Sequence, residues 1–215
     1  MATFPLGRVV DHDPRSFSFP APRVRTIAPR ALLHRTYGAV LDQGHVGSCV
    51  GNASAAALNT RSLHKARAKM LTEDDAVAIY SAATLIDGNG YPPQDTGTSA
   101  LSAAKALRTM GKITSWSTAF GLQHVLDALA LKPVLLGINW YESMFTPDAS
   151  GRLSISGGIA GGHETLIRGM DPASQTVRVR NSWGQGWGLK GDYLLSYDDL
   201  DRLLSERGDA TVFVV

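Results

Sequence analysis

Residues 43–58 read Gln43-Gly44-His45-Val46-Gly47-Ser48-Cys49-Val50-Gly51-Asn52-Ala53-Ser54-Ala55-Ala56-Ala57-Leu58, a glycine-punctuated turn that runs directly into an alanine-rich stretch. The alanines predict a helix, Ser48 is a good N-cap residue, and Gly44 and Gly47 permit a tight backbone approach. Cys49 therefore belongs in the first helical turn, where free amide groups and the positive end of the helix dipole favour a thiolate. It is the single cysteine of 215 residues. It has no partner for an intramolecular disulfide and no second thiol for a metal, so a chemical role must use it alone. The competing assignment is a small hydrophobe buried in the core.

A nucleophilic thiol needs a base, and histidine titrates near neutrality. Of six histidines, His163 stands in Gly161-Gly162-His163-Glu164-Thr165-Leu166-Ile167, at the start of an apolar strand. His45, inside the turn, is the rival base, although a tight turn would aim it elsewhere. His12, His34, His64 and His124 read as surface or core residues. Asn181, in Asn181-Ser182-Trp183-Gly184-Gln185-Gly186-Trp187-Gly188, is placed to orient the imidazole, with Trp183 shielding that hydrogen bond from water.

The rest of the chain frames these residues. Residues 1–38, with Pro5, Pro14, Pro20, Pro22 and Pro29 and scattered arginines, read as an extended arm packed on the body. Ala39–Leu41 is expected to form a short strand. Residues 39–125 are expected to be mainly helical: Cys49 to about Met70, a second helix from Thr72, a third from Ser99 to Met110 and a fourth from Leu122 to Leu131. Residues 126–215 are expected to be mainly sheet, with strands at Val134–Trp140, Glu164–Arg168, Thr176–Arg180, Tyr193–Ser196 and Thr211–Val215, and a short helix near Asp198–Leu204. This order predicts an α+β fold of one domain, a helical lobe and a β lobe with a cleft between them.

Composition narrows the function classes. An apolar share of 44% suffices for a core, and a net charge of +2 gives no electrostatic footprint for nucleic acid. No apolar run approaches a membrane span and no signal peptide is legible, so a reducing cytoplasm is the expected setting, with a virion-associated one as the alternative.

Taken together, the Gln-Gly-x-x-Gly-Ser-Cys turn, the Gly-Gly-His strand start and the Asn-Ser-Trp-Gly-x-x-Trp-Gly-x-x-Gly run, completed by Gly191 and Tyr193, resemble the papain-like cysteine peptidases, in that family's order. The similarity extends loosely over residues 28–200. It implies Cys49 as nucleophile, His163 as general acid and base, Asn181 as orienter, and Gln43 with the Cys49 backbone N–H as oxyanion hole. Asp95-Thr96-Gly97-Thr98-Ser99 looks like the family's glycine loop, which implies that Gly97 and Thr98, with Gly162, align a peptide substrate. Glu164 stands where the family lines its second subsite, and two expectations are open there: a preference for Lys or Arg, or a Glu facing solvent. The resemblance implies a thiolate–imidazolium pair, a peptide or protein substrate, and no cofactor, metal, nucleic-acid or membrane partner.

Departures from the family pattern accompany the match. Val46 and Val50 replace a common cysteine and a common aromatic residue, and the spacing from Cys49 to His163 is shorter than the family's usual ~130–150 residues. The proline-interrupted arm cannot supply the family's helical prodomain, although it is a candidate built-in inhibitor of the cleft. The compact, disulfide-free form resembles bacterial or bacteriophage members, with phage or host proteins as conceivable partners. The alternatives are an isopeptidase, a cell-wall peptidase, a non-catalytic peptide-binding module or a virion assembly component.

Overall fold

The computed structural model describes residues 4–23 and 30–215; residues 1–3 and 24–29, which include Pro29 of the arm and the start of the resembling region, lie outside the described residues. Five helices and seven strands follow one another as β1 (Leu32–Leu33), α1 (Cys49–Leu58), α2 (Glu73–Ile86), α3 (Ala100–Thr109), β2 (Ser115–Thr118), α4 (Gly121–Leu129), β3 (Val134–Tyr141), β4 (Ile159–Asp171), β5 (Thr176–Arg180), β6 (Asp192–Ser196), α5 (Tyr197–Ser205) and β7 (Asp209–Val214) among the described residues. The strands form one antiparallel sheet in the order β2-β7-β3-β4-β5-β6, with β1 paired to β4. The α+β expectation holds.

Side chains alternate across a strand, and here the alternation builds two cores, one on each face of the sheet. Leu135 of β3, Leu166 of β4 and Phe213 of β7 pack with α1, α2 and α3. Their neighbours Leu136, Ile138, Ile167 and Val212 pack on the opposite face with Val125 and Leu129 of α4 and Leu200 and Leu203 of α5. Each such fully buried side chain is worth about 2 kcal/mol over an exposed one. Helix α4, read from sequence with the helical lobe, thus packs on the sheet's other face.

Helix α1 is the buried centre of the first core: every residue except Ala56 is buried. Its small residues allow this, since a Cβ on Gly51 would collide with the Ala76 carbonyl oxygen of α2. The helix stops at Leu58 instead of running to Met70. Asn59 ends it by forming a side-chain clamp, Nδ2 donating to the Leu71 carbonyl at 2.8 Å while the Leu71 N–H donates to Oδ1 at 2.9 Å. The basic residues between them occupy that closed loop. No strand forms at 39–41; the pairing of this segment is the single bridge between Asp42 and Trp183. Strand β2 was not legible because Ser-Trp-Ser-Thr has too little apolar alternation and takes its place by pairing with β7. Helix α2 begins with the capping box of Thr72 and Asp75, and α3 with the Ser99 hydroxyl accepting from the Ser102 N–H.

Candidate active site

The turn before α1 is held from two sides. Toward the sheet, the Gln43 N–H donates to the Ser182 carbonyl at 2.9 Å and the Gly184 N–H to the Leu41 carbonyl at 3.1 Å, so this turn and the segment after β5 form a short paired seam. The Gln43 side chain is fixed within it, Oε1 accepting from Ser182 Oγ at 2.6 Å and Nε2 donating to the Val46 carbonyl at 2.9 Å. Toward the helices, the Gly47 N–H donates to Asp95 Oδ2 at 2.9 Å. Tyr80 OH donates to Asp95 Oδ1 at 2.5 Å and accepts the Gly97 N–H at 3.0 Å, tying the cysteine turn to the glycine loop. Ser48 occupies the N-cap position without making a side-chain cap bond. Its hydroxyl accepts instead from Asn52 Nδ2 at 3.0 Å.

His163 lies on β4, fully buried. Its Nε2 is 2.8 Å from Asn181 Oδ1, and that same oxygen accepts the Ser182 backbone N–H at 2.8 Å. A backbone amide can only donate, so the Asn181 atom facing it is the acceptor oxygen and Nε2 must carry the imidazole proton. Nδ1 is then a bare acceptor; it is buried and has no hydrogen-bond partner, the thiol included. Trp183 stacks on the imidazole with centroids 4.8 Å apart and Trp140 meets it edge-on at 4.8 Å, which excludes water from the His163–Asn181 bond. His45 is exposed on the outside of the turn. His124 and His34 are structural, their Nε2 atoms bonding the Ala21 and Leu129 carbonyls at 2.8 and 2.7 Å.

The N-terminal arm runs through the cleft between these elements. The Arg8 N–H donates to the Gly162 carbonyl at 3.0 Å, the Thr98 N–H to the Gly7 carbonyl at 2.8 Å, and the Val9 N–H to the Thr98 carbonyl at 2.9 Å. Arg8 and Thr98 thereby form a parallel bridge. Upstream, Gln43 Nε2 also donates to the Pro5 carbonyl at 3.2 Å, and Phe4 stacks on Trp183 at 4.4 Å. Gly7 passes so close to the cysteine turn that a Cβ there would collide with the Gly47 carbonyl oxygen. Gly97, at φ +75°, leaves room for the Gly7 carbonyl in the same way. The segments singled out for aligning a peptide, Gly97–Thr98 and Gly162, thus hold an extended chain here, and that chain is the protein's own.

This arm changes the electrostatics expected at Cys49. The thiol is fully buried. Burial pushes it up to about 12, against the pull of backbone N–H groups of Glu164, Gly7 and Val50. Burial likewise depresses His163 to about 4, although the Asn181 bond opposes this. With the arm in place the pair is therefore a neutral thiol and a neutral imidazole, in place of the expected thiolate and imidazolium. Gly7 of the arm packs against Gly47, two residues before the sulfur, while core side chains enclose Cys49 itself. The Gly7 carbonyl accepts the Thr98 N–H, so the arm is held here by backbone pairing.

Glu164 does not face solvent. It is fully buried, and both carboxylate oxygens lack hydrogen-bond partners. Sequence reasoning missed Ser182, Asp95 and Tyr80, which position Gln43, Gly47 and Gly97. It also missed Arg8 and Asp209, which share the surroundings of Glu164. For Ser182 a signal existed, its place beside Asn181; Asp209 and Arg8 have none, since only the folding of distant segments brings them to the cleft.

No protein-family model matches the chain. Among curated proteins it is similar to the gamete and mating-type specific protein A of Dictyostelium discoideum, at 28% identity over a 176-residue match that covers 71% of this chain and 39% of that protein. The chain thus matches well under half the length of that relative. Among solved structures it resembles xylellain, a cysteine protease from Xylella fastidiosa, with a TM-score of 0.83 at 22% identity over 98% of this chain and 96% of the other. It also resembles the Carica candamarcensis cysteine protease CMS1MS2, TM-score 0.63 at 17% identity over 87% of this chain and 99% of that one. Digestive procathepsin L 3 of Tenebrio molitor larval midgut follows at 0.64 and 16%, over 92% of this chain and 74% of that one. The structural neighbours are papain-like cysteine proteases, and the chain has the papain-like fold.

Proposed function

We propose that the chain is a cysteine peptidase held latent by its N-terminal arm. The observation that carries this is the fixed imidazole: Asn181 assigns the proton to Nε2 and leaves Nδ1 as an unpaired buried base on β4, the strand whose Leu166 packs in one core with Cys49 at the start of α1. When the arm leaves, water and substrate reach the helix start and the desolvation that keeps both groups neutral falls. The Sγ proton then passes to Nδ1, giving a thiolate stabilised by the α1 amides and by the imidazolium.

The thiolate attacks a peptide carbonyl, forming an S–C bond. The oxyanion is met by Gln43 Nε2, which already binds a carbonyl oxygen of the arm, and by the Cys49 N–H; one such donor is typically worth about a hundredfold to a thousandfold in rate. Collapse breaks the C–N bond as the imidazolium gives its proton to the departing amine. Water, deprotonated by Nδ1, then cleaves the thioester and restores the thiol.

Cys49→Ala tests the assignment. In the arm-released Gly7→Ala chain, cleavage of a peptide library is expected to disappear when Cys49→Ala is added, while the circular dichroism spectrum is unchanged. Cleavage that persists in the variant would exclude the mechanism. Ubiquitin-like conjugates and peptidoglycan stem peptides offered beside unmodified peptides distinguish the related isopeptidase and cell-wall activities.

A further inference from the structure

The Asn181 side chain is engaged at one end only. Its Oδ1 holds the His163 ring and the Ser182 amide, while its Nδ2 is buried and has no hydrogen-bond partner. Asn52, in the first turn of α1, is engaged at the opposite end. Its Nδ2 donates to the Ser48 carbonyl and to Ser48 Oγ, both at 3.0 Å, while its Oδ1 is buried and unpartnered. A backbone carbonyl only accepts and a backbone amide only donates, so neither side chain can be turned end for end. The two residues are 1% and 2% exposed, which leaves one donor after β5 and one acceptor on α1 away from bulk water.

Both residues line one crevice. Asn52 and Ala56 of α1 and the run Arg180, Asn181 and Ser182 border a cavity of about 10 Å³, the room that a single water needs. Other polar side chains on its wall are already taken up. The Ser182 hydroxyl donates to Gln43 Oε1, the Thr165 hydroxyl to the Leu136 carbonyl, and the Asn59 amide closes on Leu71. Glu164 borders the cavity as well, but its carboxylate leans over Gly137 of β3, which flanks β4 on the side away from β5, and so turns from Asn181. Asn52 Oδ1 is the buried acceptor that remains there among the described residues.

We propose that Asn52 is a positioning residue for the His163–Asn181 pair: its Oδ1 is the acceptor for Asn181 Nδ2 across this cavity, with one water completing the link. The effect on catalysis rests on the peptidase function proposed above; the link itself does not. One water donating to Oδ1 and accepting from Nδ2 satisfies both leftover groups at once. The penalty for an amide end buried without a partner is at least as large as the net gain of an ordinary hydrogen bond. An unanswered Nδ2 therefore pulls Asn181 off the rotamer that holds His163, and an answered one locks it there. The link also registers the helix that starts with Cys49, three residues before Asn52, against the residue that orients the base.

The full-length, arm-released Gly7→Ala chain is the protein for the activity test. Adding Asn52→Leu, which keeps the bulk and removes the acceptor, is expected to lower kcat for peptide cleavage about fivefold or more, the weight of one hydrogen bond, with KM changed by less than about twofold. Asn52→Ser is expected to hold kcat within about twofold of the Gly7→Ala chain. A helical serine hydroxyl donates to the carbonyl four residues back, as Asn52 does to Ser48, and keeps its lone pairs for the water. Should the leucine variant not fold, Asn52→Ala takes its place beside the serine. An unchanged kcat in Asn52→Leu, or a serine variant as slow as the leucine one, overturns the proposal. If the Gly7→Ala chain cleaves no peptide, the peptidase reading fails, and the link is decided by a crystal structure of the intact chain. A water within hydrogen-bond distance of both Asn52 Oδ1 and Asn181 Nδ2 is expected there. Asn181 Nδ2 joined to another acceptor, or to none, overturns the proposal independently of catalysis.

Discussion

At His163 two hydrogen bonds to one oxygen decide which ring nitrogen carries the proton. The Ser182 amide fixes Asn181 Oδ1 as acceptor, so Nε2 holds the proton and Nδ1 is free to accept one. In the covered state burial disfavours the charged ring, and His163 titrates at about 4, below its ordinary value of 6.5. The sign follows from linkage: the neutral ring's contribution to the covered state is complete above the ordinary value and is lost as pH falls through the depressed one. The His163 ring protons in an NMR titration of the intact chain are therefore expected to stay unshifted from pH 7 to about pH 5 and to move near pH 4. In Gly7→Ala the midpoint is expected to rise, because water and the thiolate then stabilise the imidazolium. A midpoint near 6.5 in the intact chain would contradict the sealed site.

The proposed latency rests on the arm, whose seat is a backbone contact. Gly7 has no special backbone conformation, but a Cβ there would strike the Gly47 carbonyl oxygen in the turn that carries Cys49. Gly7→Ala is expected to lift residues 5–9 without disturbing the lobes, since their cores do not include this residue. Iodoacetamide labelling of Cys49, followed by mass spectrometry, should then accelerate at least tenfold over the intact chain, and peptide cleavage should rise with it. Unchanged labelling would show that the arm does not control access to the thiol. The arm needs no helix for this: its hold comes from strand-like pairing with Thr98 and Gly162, the Phe4 stack on Trp183, and the Arg8 ion pair.

Across the whole molecule one buried carboxylate joins three strands beside the site. Asp192 of β6 accepts Arg168 Nη2 of β4 at 2.6 Å, Arg178 Nε of β5 at 2.6 Å and Arg180 Nε of β5 at 2.5 Å. Burial alone would raise Asp192, but these guanidiniums outweigh it and hold the carboxyl below the usual carboxylate range. Its stabilisation is thus complete above that range and is lost as pH falls below it. Asp192→Asn leaves Arg168 and Arg180 buried without their anion and is expected to cost about 3 kcal/mol in denaturant unfolding near neutrality. The difference between variant and parent should narrow under acid. A loss in cleavage is expected too, because Asn181 directly follows Arg180 and its N–H is bonded to the Gly191 carbonyl next to Asp192.

Much of this was written locally. The Thr72–Asp75 capping box, the Ser99 cap, the apolar run Val134–Trp140 and the glycine-flanked runs around Cys49, His163 and Asn181 specify elements and a candidate site through interactions a few residues long, and such signals survive without knowledge of the fold. The end of α1 was not legible, because its stop depends on Asn59 reaching Leu71 across a loop. The state of the thiol was legible even less. Helix-start geometry favours a thiolate, but burial opposes it, and that burial depends on segments distant in sequence packing around the start of α1. Glu164 makes the same point: its neighbours in sequence are strand residues, while its charge partners Arg8 and Asp209 come from opposite ends of the chain. Local chemistry determined which groups this protein carries and on which elements; only tertiary packing decided their protonation and their occupants, because electrostatic energy depends on burial and on distances between segments that sequence order does not encode.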